Sequence, residues 1–279
     1  MKKIKIITDT TADLPKEVLE KYNIDVMPLM INFGEESYLD GVDITTDEVF
    51  KRIQEGDVFP STAQVTPSRF EERFNKYLDE GYTVIAVLMS SAMSGTYQSA
   101  CIAKDIIGSD DIHVIDSYLV CASLGVLVIR AAKLVEQNLT PEEIVKDLEE
   151  TKKRIDCSIS FDSLDNLVKG GRISKTVGVV TGILGIKIIL DITDGIMVVK
   201  DKVRGSKKAV KRLLADVKAA DLDKSLPVII INVNMDEIVQ PLKQYMTDNN
   251  IEYIESTVGS TVGIYSGDKA AGVFFAKNK

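Results

Sequence analysis

The sequence predicts an α/β fold with two domains. We expect an N-terminal Rossmann-like domain, whose mostly parallel sheet has helices on both faces, and a smaller C-terminal α/β domain with a mixed or antiparallel sheet. The chain has 279 residues, more than one average domain. Short β-branched runs alternate with longer amphipathic patterns in the first half, which is typical of a parallel sheet. A turn sequence between two apolar runs in the second half indicates antiparallel pairing.

The first half contains four predicted strands joined by helices. The strand segments, rich in β-branched residues, are Ile4–Thr8, Ile24–Phe33, Val84–Met89 and His113–Ser117. Thr66 and Pro67 open a helix, because a hydroxyl residue caps its start and proline fits the first helical position. Strand, helix and strand follow one another between Tyr82 and Ser117, and such a connection makes the two strands parallel.

A long helical stretch closes the first domain. It runs from Leu119 to Arg154, is interrupted near Pro141, and ends in three cations that suit a helix C-terminus. We place the boundary directly after it, which gives domains of residues 1–155 and 156–279.

The C-terminal domain is predicted to start its sheet with a hairpin. Ile186–Ile192 and Ile196–Lys200 flank a Thr-Asp-Gly turn, and Gly195 allows the positive φ of a tight turn. The remaining elements are a basic helix from Ser206, the strand Val228–Val233, a helix from Asp236 and the strand Glu252–Thr257.

The net charge argues against nucleic acid as a partner. The chain has 34 basic and 42 acidic residues, a formal charge of −8, and a phosphate backbone is not attracted to such a molecule. The segment from Lys200 to Arg212 is an exception, because it holds seven basic residues against the single acid Asp201. A solvated helix face and a docking surface both explain such a run.

Cysteine usage and hydropathy indicate a cytoplasmic protein. Cys101, Cys121 and Cys157 are odd in number and have apolar neighbours, as buried reduced thiols do. The chain enters its first strand without the apolar stretch of a secretory signal. The uncharged runs Ser117–Ile129 and Thr176–Ile186 are shorter than the roughly 18 residues of a membrane span. We therefore expect no stable membrane insertion.

The residues needed by common catalytic chemistries are missing. His113 is the single histidine and alternates with apolar residues in a strand, which favours a structural imidazole. Paired histidines and a Cys-x-x-Cys motif are absent, so no zinc motif is present. Gly178, Gly182 and Gly185 lack the spacing of a phosphate-binding loop, and close helix packing explains them better. We expect no catalytic residues, metal or cofactor.

Two segments carry many small hydroxyl residues just before a helix, namely Pro60–Pro67 and Ser90–Thr96. Ligands of open α/β sheets bind beyond the C-terminal ends of strands, where helix N-termini offer unpaired N–H groups. An anionic head group would be held there. Helix capping alone is the competing explanation of these residues.

Six short motifs follow one another over nearly the whole chain. They are Ile7–Pro15, Tyr38–Ile44, Thr62–Gln64, Ser91–Ala100, Leu167–Ser174 and Lys202–Lys208. In this order they resemble the DegV family of bacterial fatty-acid-binding proteins, and the implied fold is DegV-like. Each motif alone is weak, but six in the correct order are specific.

The resemblance implies that one long-chain fatty acid lies in a tunnel between the two domains, with its carboxylate held by hydroxyls. Matched by motif, these hydroxyls belong to Thr62 and Ser94, and Ser91 and Gly95 lie in the same loop as Ser94. Tyr265 stands where the family often has a histidine. A phenol donates a hydrogen bond but, unlike imidazole, does not change its charge near neutral pH.

Apolar segments would supply the walls of this tunnel. The candidate side chains are Met27, Leu29, Ile31, Ile183, Leu184 and Ile188. Gly178, Gly182 and Gly185 would leave room beside a helix for the acyl chain. Ordinary core packing explains the apolar side chains equally well.

The resemblance also implies a partner protein. Relatives present the bound acid to a fatty acid kinase that forms an acyl phosphate, and basic residues in two motifs contribute to this contact. Their counterparts here are Arg172 and Arg204. The predicted function is therefore a non-catalytic carrier that binds a long-chain fatty acid such as palmitate and presents it to a fatty acid kinase, or acts in lipid transport.

Two other functions compete with the carrier. A phosphotransferase related in fold to dihydroxyacetone kinases could use Asp9 or Asp116, which follow strands. Such a nucleophile usually requires a second acid two residues later, but that position holds Thr11. Capping of a strand-to-helix turn explains Asp9 without catalysis. A nucleic-acid or partner module could use the basic segment, but net charge and the lack of interleaved aromatics disfavour it.

Overall fold

The computed structural model describes residues 3–56, 58–173 and 185–279, and it confirms the predicted α/β fold. Its described strands form a parallel four-stranded sheet, a three-stranded antiparallel sheet and a mixed six-stranded sheet. The first two come from the first half of the chain, and the mixed sheet comes from the second half.

In the first half, the strands near Ile4–Thr8, Val84–Met89 and His113–Ser117 and the helix from Pro67 lie where the sequence predicted them. The strands are β1 (Lys3–Asp9), β2 (Asp25–Met27), β3 (Met30–Phe33), β4 (Glu36–Leu39), β5 (Ser61–Ala63), β6 (Tyr82–Leu88) and β7 (Ile112–Asp116). The helices are α1 (Lys16–Lys21), α2 (Thr46–Gln54), α3 (Pro67–Asp79), α4 (Thr96–Ile107), α5 (Ala122–Glu136) and α6 (Pro141–Thr151), with 3-10 turns at Thr10–Ala12 and Lys152–Arg154.

The parallel sheet has the order β2-β1-β6-β7. Six consecutive residues of β6 are buried, which requires cover on both faces of the sheet. Helix α3 provides part of it through Phe70, Phe74 and Tyr77, which are buried and lie on one face of the helix. Thr66 precedes this helix as expected, but its hydroxyl lies 3.1 Å from the Ser68 hydroxyl instead of capping a backbone N–H.

The prediction of one strand over Ile24–Phe33 is wrong. This segment forms β2 in the parallel sheet and β3 in the antiparallel sheet, which has the order β4-β3-β5. Pro28 lies between the two strands. Because proline cannot donate a backbone hydrogen bond, it interrupts the ladder and lets the chain change sheets.

The second half builds the mixed sheet in the order β10-β9-β8-β13-β11-β12. The strands are β8 (Ile155–Phe161), β9 (Ile186–Thr193), β10 (Ile196–Arg204), β11 (Val228–Val233), β12 (Tyr253–Ser256) and β13 (Ala270–Ala276). The helices are α7 (Asp165–Lys169), α8 (Ser206–Ala219), α9 (Asp236–Asp248) and α10 (Ser260–Ser266). The β9-β10 hairpin is confirmed, with positive φ at Asp194 and Gly195. Strands β8 and β13, both central, were not predicted.

Helix α10 belongs to the second half of the chain but packs on elements of the first half. Its Ile264 is fully buried in a cluster with Ile31, Phe33, Ile44 and Val49. The chain therefore returns from the mixed sheet to the antiparallel sheet before it forms β13.

The cysteines are free thiols, as expected; Cys121 and Cys157 are buried and Cys101 is half-buried. Among the helices of the described residues, none combines the length and the apolar character that crossing a membrane would require.

Candidate functional site

An apolar cavity of about 560 Å³ lies between the first-half loops and the mixed sheet. On one side it is lined by Ile159 and Phe161 of β8, Ile231 of β11 and Phe274 of β13. Met89, which follows β6, lines the other side. The volume falls within the range of about 300–1,000 Å³ that is common for small-molecule sites.

Of the residues predicted to form the tunnel wall, some line the cavity and others do not. Leu29 lines the cavity. Met27, Ile31 and Ile188 pack in hydrophobic clusters instead. Ile183 and Leu184, like Gly178 and Gly182, lie outside the described residues, and Gly185 has the positive φ of a turn just before β9. The wall is shared among β5, the loop that follows β6, the strands β8, β11 and β13, and helix α10.

All five predicted ligand-binding residues line the cavity. They are Thr62, Ser91, Ser94, Gly95 and Tyr265. Thr62 is the central residue of β5, and Tyr265 belongs to α10, 203 positions later in the chain. The Thr62 Oγ1 and Tyr265 Oη atoms are 2.5 Å apart. Two elements distant in sequence thus place a pair of hydrogen-bonded hydroxyls in the wall of the cavity.

The Ser94 hydroxyl lies at the start of helix α4. Its Oγ is 3.0 Å from Thr96 Oγ1 and accepts a hydrogen bond from the Thr96 backbone N–H at 3.3 Å. Thr96 Oγ1 in turn accepts from the backbone N–H of Val65. The two hydroxyl loops are therefore tied together, next to a helix N-terminus whose dipole favours negative charge.

Gln64 is a site residue that our sequence analysis did not select. It lines the cavity, and its Nε2 donates to Ser99 Oγ at 2.9 Å. Its Oε1 lies so close to Gly95 that a Cβ added there would be 1.9 Å away. A side chain at position 95 would therefore displace the Gln64 amide. The Thr62–Gln64 motif was the available signal, but the contact with Gly95 spans two loops.

Arg172 lies in the wall of the same cavity. Its guanidinium is 4.8 Å from the centre of the Tyr265 ring and donates to the backbone carbonyl of Gly170 at 2.6 Å. Gly170 approaches Tyr265 so closely that a Cβ would lie 2.2 Å from the ring. The glycine-arginine motif thus positions a cation beside the hydroxyl pair.

Arg204, the other predicted partner residue, is exposed at the end of β10. Within the basic segment, Lys200 pairs with Asp191 and Asp216, and Arg212 pairs with Asp201 and Asp216. The five exposed cations, which we call the basic surface, are Lys202, Arg204, Lys207, Lys208 and Lys211. Two of the seven basic residues are therefore structural, and five face solvent.

The carboxylates considered for phosphotransfer serve as acceptors in turns. Asp9 accepts from the backbone N–H groups of Thr11 and Met89 and from the Thr11 hydroxyl, and its burial raises its pKa. Asp116 accepts from the backbone N–H groups of Ser91 and Tyr118. Over residues 3–56, 58–173 and 185–279, no group of three or more metal-ligating side chains is found.

The sequence matches known proteins over nearly its whole length. A family model described as "Uncharacterised protein, DegV family" matches residues 3–278. A DegV domain-containing protein of Clostridium perfringens is 48% identical over 277 residues, which covers 99% of each chain.

Solved structures share the fold along the entire chain. The structure of DegV, a fatty acid binding protein from Bacillus subtilis, is 28% identical with a TM-score of 0.86 and covers 100% of both chains. A stearic-acid-binding protein from Eubacterium ventriosum is 26% identical with a TM-score of 0.87 and covers 98% of each chain.

Proposed function

This chain belongs to the DegV family, and from that premise we propose that it binds one long-chain fatty acid in the apolar cavity. The observation that carries the proposal is the pair of hydroxyls, Thr62 and Tyr265, in the wall of that cavity, with the Ser94 hydroxyl in the same wall. An apolar space with a small polar group of this kind matches an amphiphile with a long tail and a small head. The proteins from Bacillus subtilis and Eubacterium ventriosum, described as fatty-acid-binding, support this choice.

The tail supplies the affinity. Burying about fourteen methylenes at roughly 0.8 kcal/mol each gives on the order of 11 kcal/mol, before the cost of immobilising ligand and protein. The aromatic and aliphatic side chains Phe161, Phe274 and Ile231 provide the apolar contacts. Such walls accept many tails, so the affinity is expected to depend mainly on the apolar area that the tail buries.

The head group fixes the orientation. Removing an ionised carboxylate from water is costly unless it is hydrogen-bonded. Thr62, Ser94 and Tyr265 offer hydroxyl donors, and the Arg172 guanidinium lies beside Tyr265. Charge-assisted hydrogen bonds of this kind are roughly twice as strong as neutral ones. In this proposal the carboxylate replaces the direct Thr62–Tyr265 contact.

We propose further that the protein is a cytoplasmic carrier without catalytic activity of its own. The domains 1–155 and 156–279 form the two sides of a tunnel, and the bound acid is presented to a fatty acid kinase or moved between lipid pools. Exposed Arg204 and the rest of the basic surface suit an acidic partner. Arg172, proposed above as a partner-binding residue, would also contact the bound acid, because it lies in the cavity wall next to the head-group hydroxyls.

Extraction of the purified protein tests the fatty-acid proposal. The protein is made in bacteria, and its bound lipid is extracted with solvent and measured by mass spectrometry beside a native mass measurement. We expect a fatty acid in a ratio near one per chain. Protein that is repeatedly empty, and that takes up neither palmitate nor oleate, would exclude the carrier.

Two substitutions locate the head group. Ser94→Ala and Thr62→Val should each weaken palmitate binding by roughly 1–3 kcal/mol, since each removes a hydrogen bond to a charged group. Ser68→Ala, which removes an exposed hydroxyl outside the cavity lining, is the matched control. If both site variants bind palmitate as tightly as the wild-type protein, the head group does not bind at these hydroxyls.

A further inference from the structure

Two acids that do not line the cavity, each from a different sequence motif, meet at the start of helix α10. Asp13 follows the 3-10 turn Thr10–Ala12 in the first motif, and Asp40 follows β4. Asp13 Oδ1 accepts from the Gly259 backbone N–H at 2.7 Å. Asp40 accepts from the backbone N–H groups of Ser260 at 3.0 Å and Thr261 at 3.1 Å. These bonds join residues that lie more than 200 positions apart.

Both carboxylates are withdrawn from solvent. Asp13 is 7% exposed and Asp40 is 2% exposed, and a buried carboxylate is costly unless hydrogen bonds compensate for lost water. The N–H groups of a first helical turn have no partner within their helix, and the helix dipole favours negative charge there. The helix start therefore pairs with both oxygens of Asp40 and with one oxygen of Asp13.

Helix α10 has little stability of its own. It has seven residues, and helices much shorter than about 12 residues are marginal in water. Its position is set by its neighbours, namely the two carboxylates at its start and the apolar cluster around Ile264. Ser256 Oγ adds a 2.7 Å hydrogen bond to the Asp13 carbonyl. Tyr265 lies five residues after Ser260, about 7.5 Å along the helix axis.

We propose that Asp13 and Asp40 are positioning residues that fix helix α10 by its first backbone N–H groups and thereby hold the Tyr265 hydroxyl at the head-group site. The proposal rests on the fatty-acid function proposed above. It assigns a role to two motifs whose acids do not line the cavity. Because α10 is only seven residues long, a displacement of its first turn also moves Tyr265, whose hydroxyl must stay beside Thr62 and Ser94 to donate to the carboxylate.

The decisive variant is Asp40→Asn. An amide keeps one acceptor oxygen but places its NH₂ opposite a backbone N–H donor, so the first turn must shift. Asp43→Asn is the matched control, because Asp43 is in the same loop, is exposed, and accepts from the Leu39 N–H instead of from α10. Both variants are compared for binding of palmitate and of methyl palmitate, which has the same tail and no charge.

The proposal predicts that Asp40→Asn weakens the binding of palmitate much more than the binding of its methyl ester. Asp40→Asn should weaken palmitate binding by about fivefold or more and methyl palmitate binding by less than about twofold, since only head-group hydrogen bonds change. In a Tyr265→Phe background, Asp40→Asn should weaken palmitate binding almost no further, because the Tyr265 hydroxyl through which Asp40 acts is already absent. Equal losses for both ligands, or a full loss repeated in the Tyr265→Phe background, would overturn the proposal.

Hydrogen exchange of ligand-free protein separates this proposal from the fatty-acid function. Peptides covering residues 257–266 should exchange faster in Asp40→Asn than in Asp43→Asn, even if the wild-type protein binds no fatty acid. Unchanged exchange overturns the proposal. If Asp40→Asn fails to fold, Asp13→Ala is measured in the same way, since it removes the acceptor of the Gly259 N–H and leaves both Asp40 hydrogen bonds in place.

Discussion

At Gly95, the absence of a side chain allows Gln64 to reach Ser99. A Cβ at this position would lie 1.9 Å from Gln64 Oε1 and 2.7 Å from its Cδ. Gln64 is a flexible side chain, so Gly95→Ala should fold but displace Gln64 and break its 2.9 Å hydrogen bond to Ser99. We expect palmitate binding, measured by titration, to weaken by about 1 kcal/mol.

The second substitution that tests this prediction is Gln64→Ala. When it is combined with Gly95→Ala, the clash is gone, so the double variant should bind palmitate no worse than Gln64→Ala alone. A double variant that is weaker than either single variant would show that Gly95 acts through another contact.

Asp13 makes the stability of the protein depend on pH. Its burial raises its pKa to about 8, while in the unfolded chain an aspartate titrates near about 4. Between these values the folded state holds a proton that the unfolded state has lost. The free energy of unfolding therefore falls as pH rises from about 4 to about 8, and levels off above that range.

Asp13→Asn removes this titration. The free energy of unfolding, measured with urea between pH 5 and 8, should then decline less with pH than in the wild-type protein. Asp110→Asn, at an exposed aspartate, should leave the slope as it is. Equal slopes in wild type and Asp13→Asn would contradict the predicted burial effect.

Site residues could be predicted from sequence where their signal is local. The hydroxyl-rich segments before two helices are a local signal, the resemblance to the family singled out Thr62 and Ser94 within them, and both residues line the cavity. The roles of Asp13, Asp40 and Gln64 depend on partners that only the folded chain brings near, 246 positions away in the case of Asp13 and Gly259. No periodicity or capping rule reports such a contact.

At the scale of elements, the capping box of α6 explains why the long helical pattern breaks at Pro141. The Thr140 hydroxyl accepts from the Glu143 N–H at 3.3 Å, and the Glu143 carboxylate accepts from the Thr140 N–H at 2.8 Å. Thr140→Ala should lower the free energy of unfolding by about 1 kcal/mol. Urea denaturation checks the value, and Thr140→Ser should retain most of the stability.

Strand β13 shows where sequence patterns fail for elements. Its residues from Ala270 to Ala276 include three alanines and a glycine, which are poor strand formers, yet all seven are buried. The strand exists because it is paired on both sides, to β8 and to β11. Tertiary pairing overrides local propensity here. Because Phe274 lines the cavity, a sequence analysis that missed this strand also missed part of the cavity wall.

At the scale of the whole molecule, charge is distributed unevenly. The chain carries −8, but the basic surface gathers five exposed cations around Arg204. Arg204→Glu should leave palmitate binding unchanged, because Arg204 does not line the cavity. It should slow acyl phosphate formation by a fatty acid kinase, since rim charges mainly affect association.

The control for this prediction is Lys153→Glu, at an exposed cation outside the basic surface whose present partner is Glu150. It should leave kinase turnover nearly unchanged. Equal effects of the two reversals would indicate that only net charge matters, and joint loss of lipid binding and turnover in Arg204→Glu would indicate misfolding.

The return of helix α10 to the first half of the chain has a consequence for biosynthesis. Until residues 259–266 leave the ribosome, the apolar cluster around Val49 lacks Ile264, and Asp40 lacks its N–H donors. A nascent chain of more than 250 residues thus still exposes an apolar patch and leaves Asp40 without its backbone donors. Truncation before α10 should therefore yield a product prone to aggregation and proteolysis, even though most of its sheets are encoded.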